Sequence, residues 1–220
     1  MCKVYGVRLW VIGFLLTLSA TLLAQNDSIY MGTQVKLDIA SPIVVPAATK
    51  WGMQHYEVAV NVRLAQRFYP TFELGYAGGK IANDTIDYLG HGGFFRVGCD
   101  LNPLKRHPGT PHALLVGVRL GTAVQDVRED IRLQDRMGQL SGVRADCWGE
   151  IVAGCQVEIC KGERRKAKGE SAFYMGWMGR FKALFTRKSP VDNYPVIYIP
   201  GYGKYDTIGW GVNYYLGWKF

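Results

Sequence analysis

The sequence predicts an all-β protein, an eight-stranded antiparallel up-and-down transmembrane β-barrel. Three observations predict this fold class. After residue 30, apolar and polar residues alternate in eight segments, which is the pattern of strands with two different faces. The chain combines 27 glycines with 13 tyrosines, 9 phenylalanines and 6 tryptophans, a composition that disfavours helices and is typical of strands and membrane interfaces. An export signal precedes the alternating segments.

The N-terminal segment has the layout of a secretory signal peptide. Lys3 and Arg8 form a short positive region, residues 10–24 are mostly apolar, and polar residues follow from Gln25. Because the apolar stretch is short for a membrane-spanning helix, we expect cleavage near Ala24 or Gln25, with a retained anchor as the alternative. The predicted domains are the signal peptide at 1–25 and an outer-membrane β-barrel domain at 26–220.

The alternating segments have 9 to 14 residues, and a tilted strand needs about 9–11 to cross a bilayer. The predicted strands are 31–39, 54–63, 68–77, 93–101, 113–123, 146–159, 172–183 and 208–220. The last strand is the clearest, because one of its faces is wholly apolar and aromatic. That face carries Ile208, Trp210, Val212, Tyr214, Leu216, Trp218 and Phe220. Elsewhere four apolar residues fall on a polar face, namely Phe94, Leu115, Trp148 and Val152.

The polar faces of the strands combine glycines with charged residues of both signs. The positive residues are Lys36, Arg63, Arg96, Arg119, Arg180, Lys182 and Lys219. The negative residues are Asp38, Glu57, Glu73, Asp100, Glu150 and Glu158. Because buried charges are costly unless paired, this near-balance predicts ion pairs in a lumen just wide enough for side chains, with glycines making room for them. A soluble barrel with a solvated polar face is the alternative.

The lengths of the gaps between strands predict the topology. Three short connections lie on the periplasmic side with both termini, and four longer loops lie outside. The short connections are 64–67, 102–112 and 160–171, and the longer loops are 40–53, 79–91, 124–145 and 184–207. Pairing of the last strand with the first leaves no open edge, so we expect every backbone group in the membrane to be satisfied. In the last loop, Pro200 and Gly201 predict a tight turn, because proline fixes φ and glycine accepts positive φ.

The spacing of the cysteines and the net charge of the chain indicate which metal sites and which partners to expect. Cys99, Cys147, Cys155 and Cys160 follow no zinc-ligand spacing, so we interpret them as small apolar residues facing lipid, with a disulfide as the alternative. The formal net charge is +8. Export argues against nucleic acid as a partner, and the basic clusters are typical of solvated turns or of contacts with anionic lipid surfaces. The mixed-charge loop 124–145 is interpreted as solvated, or as contacting divalent cations or lipopolysaccharide.

The sequence contains no established catalytic motif. Walker, Rossmann, G-x-S-x-G and H-E-x-x-H patterns are missing. His55 and His91 could meet at the extracellular rim near Ser41 or Asp84, but nothing in their spacing requires it. We therefore expect no catalytic residue, no cofactor and no bound metal. An outer-membrane lipid-modifying enzyme and a narrow gated pore stay as alternatives to a structural protein.

The C-terminal strand resembles the recognition signal of bacterial outer-membrane barrels, which the barrel-assembly machinery reads. The matching residues are Gly211, Tyr214, Leu216, Trp218 and Phe220. Residues 193–202 and 209–214 are also similar to the last loop and strand of an uncharacterised family of Bacteroidetes-type outer-membrane β-barrels, and residues 96–100 and 148–150 to two of its earlier strands. The resemblance implies the barrel fold and a Gram-negative outer membrane, and it implies no substrate.

These features predict a monomeric structural protein of the outer membrane. Its lumen is expected to be filled with side chains, which leaves no wide channel for diffusion. Its outer loops are expected to bind a partner or to support the integrity of the envelope. The expected partners are outer-membrane lipid and lipopolysaccharide, and the barrel-assembly machinery during biogenesis.

Overall fold

The computed structural model describes most of the chain that follows the predicted signal peptide. The described residues are 30–48, 50, 52–64, 67–82, 86–104, 112–133, 136–161, 172–186 and 198–219. The predictions that concern the signal peptide, Asp84 and Phe220 lie outside these residues. Within them, no helix has the length and apolar character needed to span a bilayer.

The described residues form ten strands and one helix. In chain order these are β1 (Tyr30–Asp38), α1 (Ser41–Ala48), β2 (Met53–Leu64), β3 (Phe68–Ala82), β4 (Ile86–Leu101), β5 (Ala113–Leu133), β6 (Arg136–Lys161), β7 (Ala172–Leu184), β8 (Tyr198–Ile199), β9 (Gly203–Lys204) and β10 (Ile208–Lys219). The eight long strands close into one antiparallel barrel in the order β1-β10-β7-β6-β5-β4-β3-β2. The predicted fold class is therefore confirmed. We call the end with the β3–β4 and β5–β6 hairpins the upper end.

The register between strands shows how steeply they are tilted. A path of paired residues that starts at Ile208 and crosses every strand once returns to β10 at Trp218, ten residues further along. In a closed barrel, such a stagger goes with strands that are tilted by about 35–45° from the barrel axis.

The predicted alternation of inward and outward faces is confirmed. Outward residues such as Leu74 (58% exposed) and Val118 (60% exposed) lie on the surface, and their neighbours Glu73 and Arg119 are buried in the lumen. The four apolar residues that interrupt the alternation are also buried in the lumen, namely Phe94, Leu115, Trp148 and Val152. Bulky side chains thus occupy the interior at these positions.

The predictions of outer loops at 79–91 and 124–145 are wrong. β3 and β4 stay paired up to Ala82 and Asp87, and β5 and β6 stay paired up to Leu133 and Arg136, so most of 79–91 and 124–145 is strand. Polar residues interrupt the outward positions there, as at His91 and Arg128, so the apolar alternation in the sequence is broken. Backbone pairing does not need an apolar face, so the hairpins continue past that point.

The predicted closure of the barrel by the first and last strands is confirmed, but these two strands pair over only part of their length. β1 pairs with β10 only up to Asp38, which lies opposite Tyr215. The carboxylate of Asp38 then accepts hydrogen bonds from the N–H groups of Ala40 (2.9 Å) and Ser41 (3.3 Å). These bonds turn the chain out of the barrel wall and into α1, which packs against β2.

The lumen contains two apolar regions with charged side chains between them. The lower region consists of Tyr69, Ala113, Leu115, Val152, Tyr174, Met178 and Tyr215. The upper region consists of Met53, Ala77, Tyr88, Phe94, Ala123, Val127, Trp148, Tyr198, Ile199 and Tyr202. Three of the upper residues come from the predicted loop 184–207, whose β8–β9 turn enters the mouth of the barrel.

Candidate functional site

The middle of the lumen holds a network of charged side chains with Arg180 at its centre. Arg180 Nη1 donates to the carboxylates of Glu73 (2.9 Å) and Glu150 (2.8 Å), and Nη2 donates to Glu57 and Glu73 (3.2 Å each). Arg180 Nε donates to Asn213 Oδ1 (2.5 Å). All five residues are buried. The predicted ion pairing inside the lumen is therefore confirmed.

Two more arginines extend this network across the barrel. Arg96 Nη2 lies 2.5 Å from Glu57 Oε2, and Arg96 Nη1 lies 3.1 Å from Glu73 Oε2. Arg119 donates to Glu73 (3.1 Å) and to Asp100 (2.7 Å). Each of these carboxylates faces at least one guanidinium, which offsets the cost of removing the charges from water. The network joins β2 to β7 through the strands between them and blocks the lumen at mid-height.

The β8–β9 turn closes the upper end of the lumen. Its centre is Pro200-Gly201, where Gly201 has a φ of 75° and the N–H of Tyr202 donates to the carbonyl of Ile199 (3.1 Å). The predicted tight turn is therefore confirmed. Lys182 Nζ donates to the carbonyls of Gly201 (2.7 Å) and Tyr202 (3.0 Å), which ties the turn to β7.

Aromatic side chains hold the turn from other directions. The hydroxyl of Tyr88 donates to the carbonyl of Tyr198 (2.9 Å), and the hydroxyl of Tyr198 lies 3.3 Å from His55 Nδ1. Burial raises the pKa of Tyr198, so its hydroxyl stays protonated and available for that hydrogen bond. Trp148 packs edge-to-face on Tyr202, with ring centroids 5.8 Å apart. The turn acts as a plug in the mouth of the barrel.

A cavity of about 520 Å³ lies beside this plug. It is bounded by α1, β2, the plug and the upper half of β10. Its polar lining includes His55, Glu57, Arg96, Lys182 and Asn213. Its apolar lining includes Val44, Val45, Trp210 and Val212. The cavity therefore combines a polar interior with apolar groups at the barrel surface, and we refer to it as the mouth cavity.

The predicted assembly-signal residues lie on β10, but on both of its faces. Tyr214 and Trp218 are exposed on the outer face, and Leu216 lies half-buried between them. Gly211 is on the inner face, next to Lys182. That the assembly machinery reads these residues stays a prediction.

The two candidate histidines do not meet. In β2 the odd-numbered residues point inward, so His55 is buried, whereas in β4 they point outward, so His91 is exposed. The hydroxyl of Ser41 donates to Asp38 (2.5 Å) and not to a histidine. Among the described residues, no three His, Cys, Asp or Glu side chains are grouped so that they could hold a metal ion.

Three of the four cysteines that follow the predicted signal peptide have described side chains. Cys99, Cys147 and Cys155 are free thiols, and all three lie on the outer face of the barrel. This agrees with their interpretation as small outward-facing apolar residues. The side chain of Cys160 lies outside the described part of the chain.

The sequence did not reveal the mouth cavity, because two of its walls come from predicted loops. The segment that forms α1 contains Pro42 and Pro46, which obscures its helical character. The plug residues Tyr198 and Tyr202 stand out as aromatics in a loop, but their burial depends on rings from distant strands. The only signals of this cavity in the sequence were the apolar run that forms α1 and the aromatic residues clustered in the last predicted loop.

The fold and its lumen define a class: a closed eight-stranded barrel with an apolar outer face and a charged, plugged interior. The chain belongs to the family described as "Domain of unknown function (DUF6048)", whose family model matches residues 4–219. Among solved structures, the chain is similar to the N-terminal β-barrel domain of Pseudomonas aeruginosa OprF, with 11% sequence identity, coverage of 88% of this chain and 100% of that chain, and a TM-score of 0.37. No curated protein matches the chain. The Bacteroidetes origin stays a prediction.

Proposed function

We propose that the protein is an integral outer-membrane β-barrel with a structural role. In this proposal, the filled lumen stabilises the barrel as a scaffold. The upper hairpins and loops contact lipopolysaccharide or a partner and support the integrity of the envelope.

The inside-out distribution of side chains carries this proposal. Every barrel strand has apolar residues on its outer face that are between 38% and 70% exposed, for example Leu37, Val58, Leu74, Val97, Val118, Ile151, Trp177 and Val212. Most of the charged side chains inside are buried and paired, as Arg180 is with Glu57, Glu73 and Glu150. Soluble monomers rarely expose so much continuous apolar surface, whereas a bilayer requires it of a barrel.

The height of the apolar surface fits a bilayer. On β10 it runs from Ile208 to Trp218, which at about 3.3 Å per residue and a tilt of about 40° rises roughly 25 Å. Trp210 packs edge-to-face on Phe181 (4.7 Å between centroids), and Trp218 packs on Phe173 (6.2 Å). Aromatic pairs near both ends of the band are typical of the two membrane interfaces.

The orientation follows from the lengths of the connections. The β3–β4 and β5–β6 hairpins extend past the apolar band at the upper end. In outer-membrane barrels the longer connections face the outside, so we assign this end to the cell surface. The predicted export signal and assembly signal support this location, and we expect a monomer.

The filled lumen favours a structural role over a pore. Ions would have to displace both the Arg180 network and the plug. For the enzyme alternative, Ser41 and His55 both line the mouth cavity. However, Ser41 donates to Asp38, and His55 lies next to Tyr198 and Glu57, so these two residues form no nucleophile–base pair.

A gel comparison of heated and unheated membrane fractions tests the proposal. A folded membrane barrel resists the detergent and migrates differently until it is boiled. Val60→Arg places a charge on the outer face within the band and should lower stability by about 2–4 kcal/mol. Ala59→Ser is the matched control, because Ala59 faces the lumen beside a small polar cavity of about 20 Å³. Recovery of the native protein in the soluble periplasmic fraction, or equal tolerance of both substitutions, would refute the proposal.

A further inference from the structure

The upper half of β10 has an open edge. The last backbone hydrogen bond between this strand and the start of the chain runs from the N–H of Ile39 to the carbonyl of Tyr214 (2.9 Å). In an antiparallel strand, the backbone groups of alternate residues point to the same side. Those of Ile208, Trp210 and Val212 therefore point to the same side as those of Tyr214, where no described strand pairs with them.

This edge lies within the apolar band, where an open edge is unfavourable. Trp210 and Val212 are 78% and 70% exposed on the outer face. A backbone polar group without a partner in hydrocarbon costs several kcal/mol, so barrels normally leave none. The opening between α1 and β10 is therefore a place where polar atoms of a molecule in the membrane would be stabilised.

Behind the opening lies the ammonium group of Lys182, which donates to two backbone carbonyls of the plug. Among the described residues no carboxylate forms a close ion pair with it, and Glu150 and Glu57 act on its charge from further away. A Cβ at Gly211 would lie 3.4 Å from Nζ, so this glycine leaves the wall thin between the ammonium group and the open edge. The third N–H of Lys182 remains available to an acceptor.

One more buried donor at the mouth cavity, Arg96 Nε, makes no hydrogen bond in the described part of the chain. His55 Nε2 faces Glu57 Oε2 at 3.6 Å. The acidic residue lining the cavity is Glu57, and its charge is offset by Arg96 at 2.5 Å and Arg180 at 3.2 Å. The interior of the cavity therefore offers donors to an anion more readily than acceptors to a cation.

We propose that the opening between α1 and β10 binds an anionic amphiphile of the outer leaflet, with its carboxylate or phosphate on Lys182 and its acyl chain along Val44, Trp210 and Val212. This inference rests on the proposed membrane location. The amphiphile enters sideways from the bilayer, so the plug does not need to move. Fatty acids and anionic phospholipids share this chemistry.

Spin-labelled lipids test the site directly. Purified protein is reconstituted in phosphatidylcholine vesicles, and electron paramagnetic resonance measures the motionally restricted fraction of spin-labelled stearate and of its methyl ester. We expect a preference of about tenfold for the carboxylate, the change in equilibrium that one charge-assisted hydrogen bond typically produces. A parallel comparison of phosphatidylglycerol with phosphatidylcholine labels shows whether a phospholipid phosphate is the better ligand. Equal restriction of all charged and uncharged labels would overturn the proposal, because the protein would then make no specific contact with the carboxylate or phosphate.

Two pairs of variants separate a specific site from a general effect of charge. Lys182→Met should abolish the preference, and Lys36→Met, which removes another buried lumen lysine that does not line the mouth cavity, should leave it intact. Val44→Asp puts a negative charge on α1 at the entrance and should weaken the preference. Val44→Asn loses the same apolar contact without the charge, so it should weaken binding of the stearate and of its ester alike and keep their ratio. Val44 is outside the barrel strands and exposed, so this pair tests the site even if Lys182→Met fails to fold.

The heat-modifiable gel shift of each preparation is measured together with its lipid preference, as a control for folding. Vesicles without a shifted band indicate failure of the barrel proposal, and a normal band with no carboxylate preference indicates failure of this site alone. A preference that survives both Lys182→Met and Val44→Asp in folded protein would also refute the assignment.

Discussion

Removal of Arg180 is the strongest test of the charged network that fills the lumen. Its guanidinium donates to Glu57, Glu73 and Glu150 and to the side-chain carbonyl of Asn213, at distances between 2.5 and 3.2 Å. Arg180→Met keeps most of the side-chain length but leaves three buried carboxylates short of a cation. Breaking a buried ion pair by removing one partner costs about 3–5 kcal/mol, and we expect a loss in this range.

The loss should be recovered in part by removing one of the carboxylates. Glu73 is the best choice, because it contacts Arg96 and Arg119 as well as Arg180. Glu73→Gln in the Arg180→Met background removes one negative charge from a network that then has too few cations, and it keeps the shape of the side chain. We expect a coupling free energy of about 2 kcal/mol in the double-mutant cycle, within the range for residues in one network.

Urea unfolding of the barrel in lipid vesicles, followed by tryptophan fluorescence, measures these effects. With a slope of about 1–3 kcal/mol per molar urea, the expected loss lowers the midpoint by roughly 2 M. The control is Arg128→Met, because Arg128 is exposed on the upper hairpin and its removal should change stability by less than about 0.5 kcal/mol. An unchanged midpoint for Arg180→Met, or additive effects of the two lumen substitutions, would refute the view that the network holds the barrel together.

Three further predictions address the plug, the thiols and the end of the chain. Gly201→Ala should loosen the plug, because Gly201 has a φ of 75° and an added Cβ would lie 2.5 Å from Phe94 Cγ; faster tryptic cleavage at the exposed Lys204 measures this, and unchanged cleavage contradicts it. Outward thiols such as Cys155 should react with a charged maleimide in vesicles only after denaturation, and rapid labelling of the folded protein would place them in water. Deletion of Phe220 should reduce the heat-modifiable band while export continues, and normal assembly would contradict the predicted signal.

The pairing partners in the lumen show where sequence analysis ends. The balance of inward charges predicted ion pairs, because a narrow lumen cannot hold unpaired charges. The partners themselves could not be predicted, since Arg180 and Glu57 are 123 residues apart and meet only when the barrel closes. The glycines predicted to make room for charges also adjoin rings, as Gly121 does with Trp148.

The sequence by itself determined the strand count, the closed barrel and the assignment of faces, because side chains alternate with a period of two wherever a strand separates two environments. It did not determine the ends of the hairpins, since backbone pairing continues into segments whose outer face mixes polar and apolar residues. Only the tertiary structure decided the plug, the mouth cavity and the open edge of β10. The plug and the mouth cavity depend on contacts between distant segments, such as those of Lys182 with the plug. The open edge depends on the carboxylate of Asp38, which turns β1 out of the barrel wall before β1 reaches the upper end of β10.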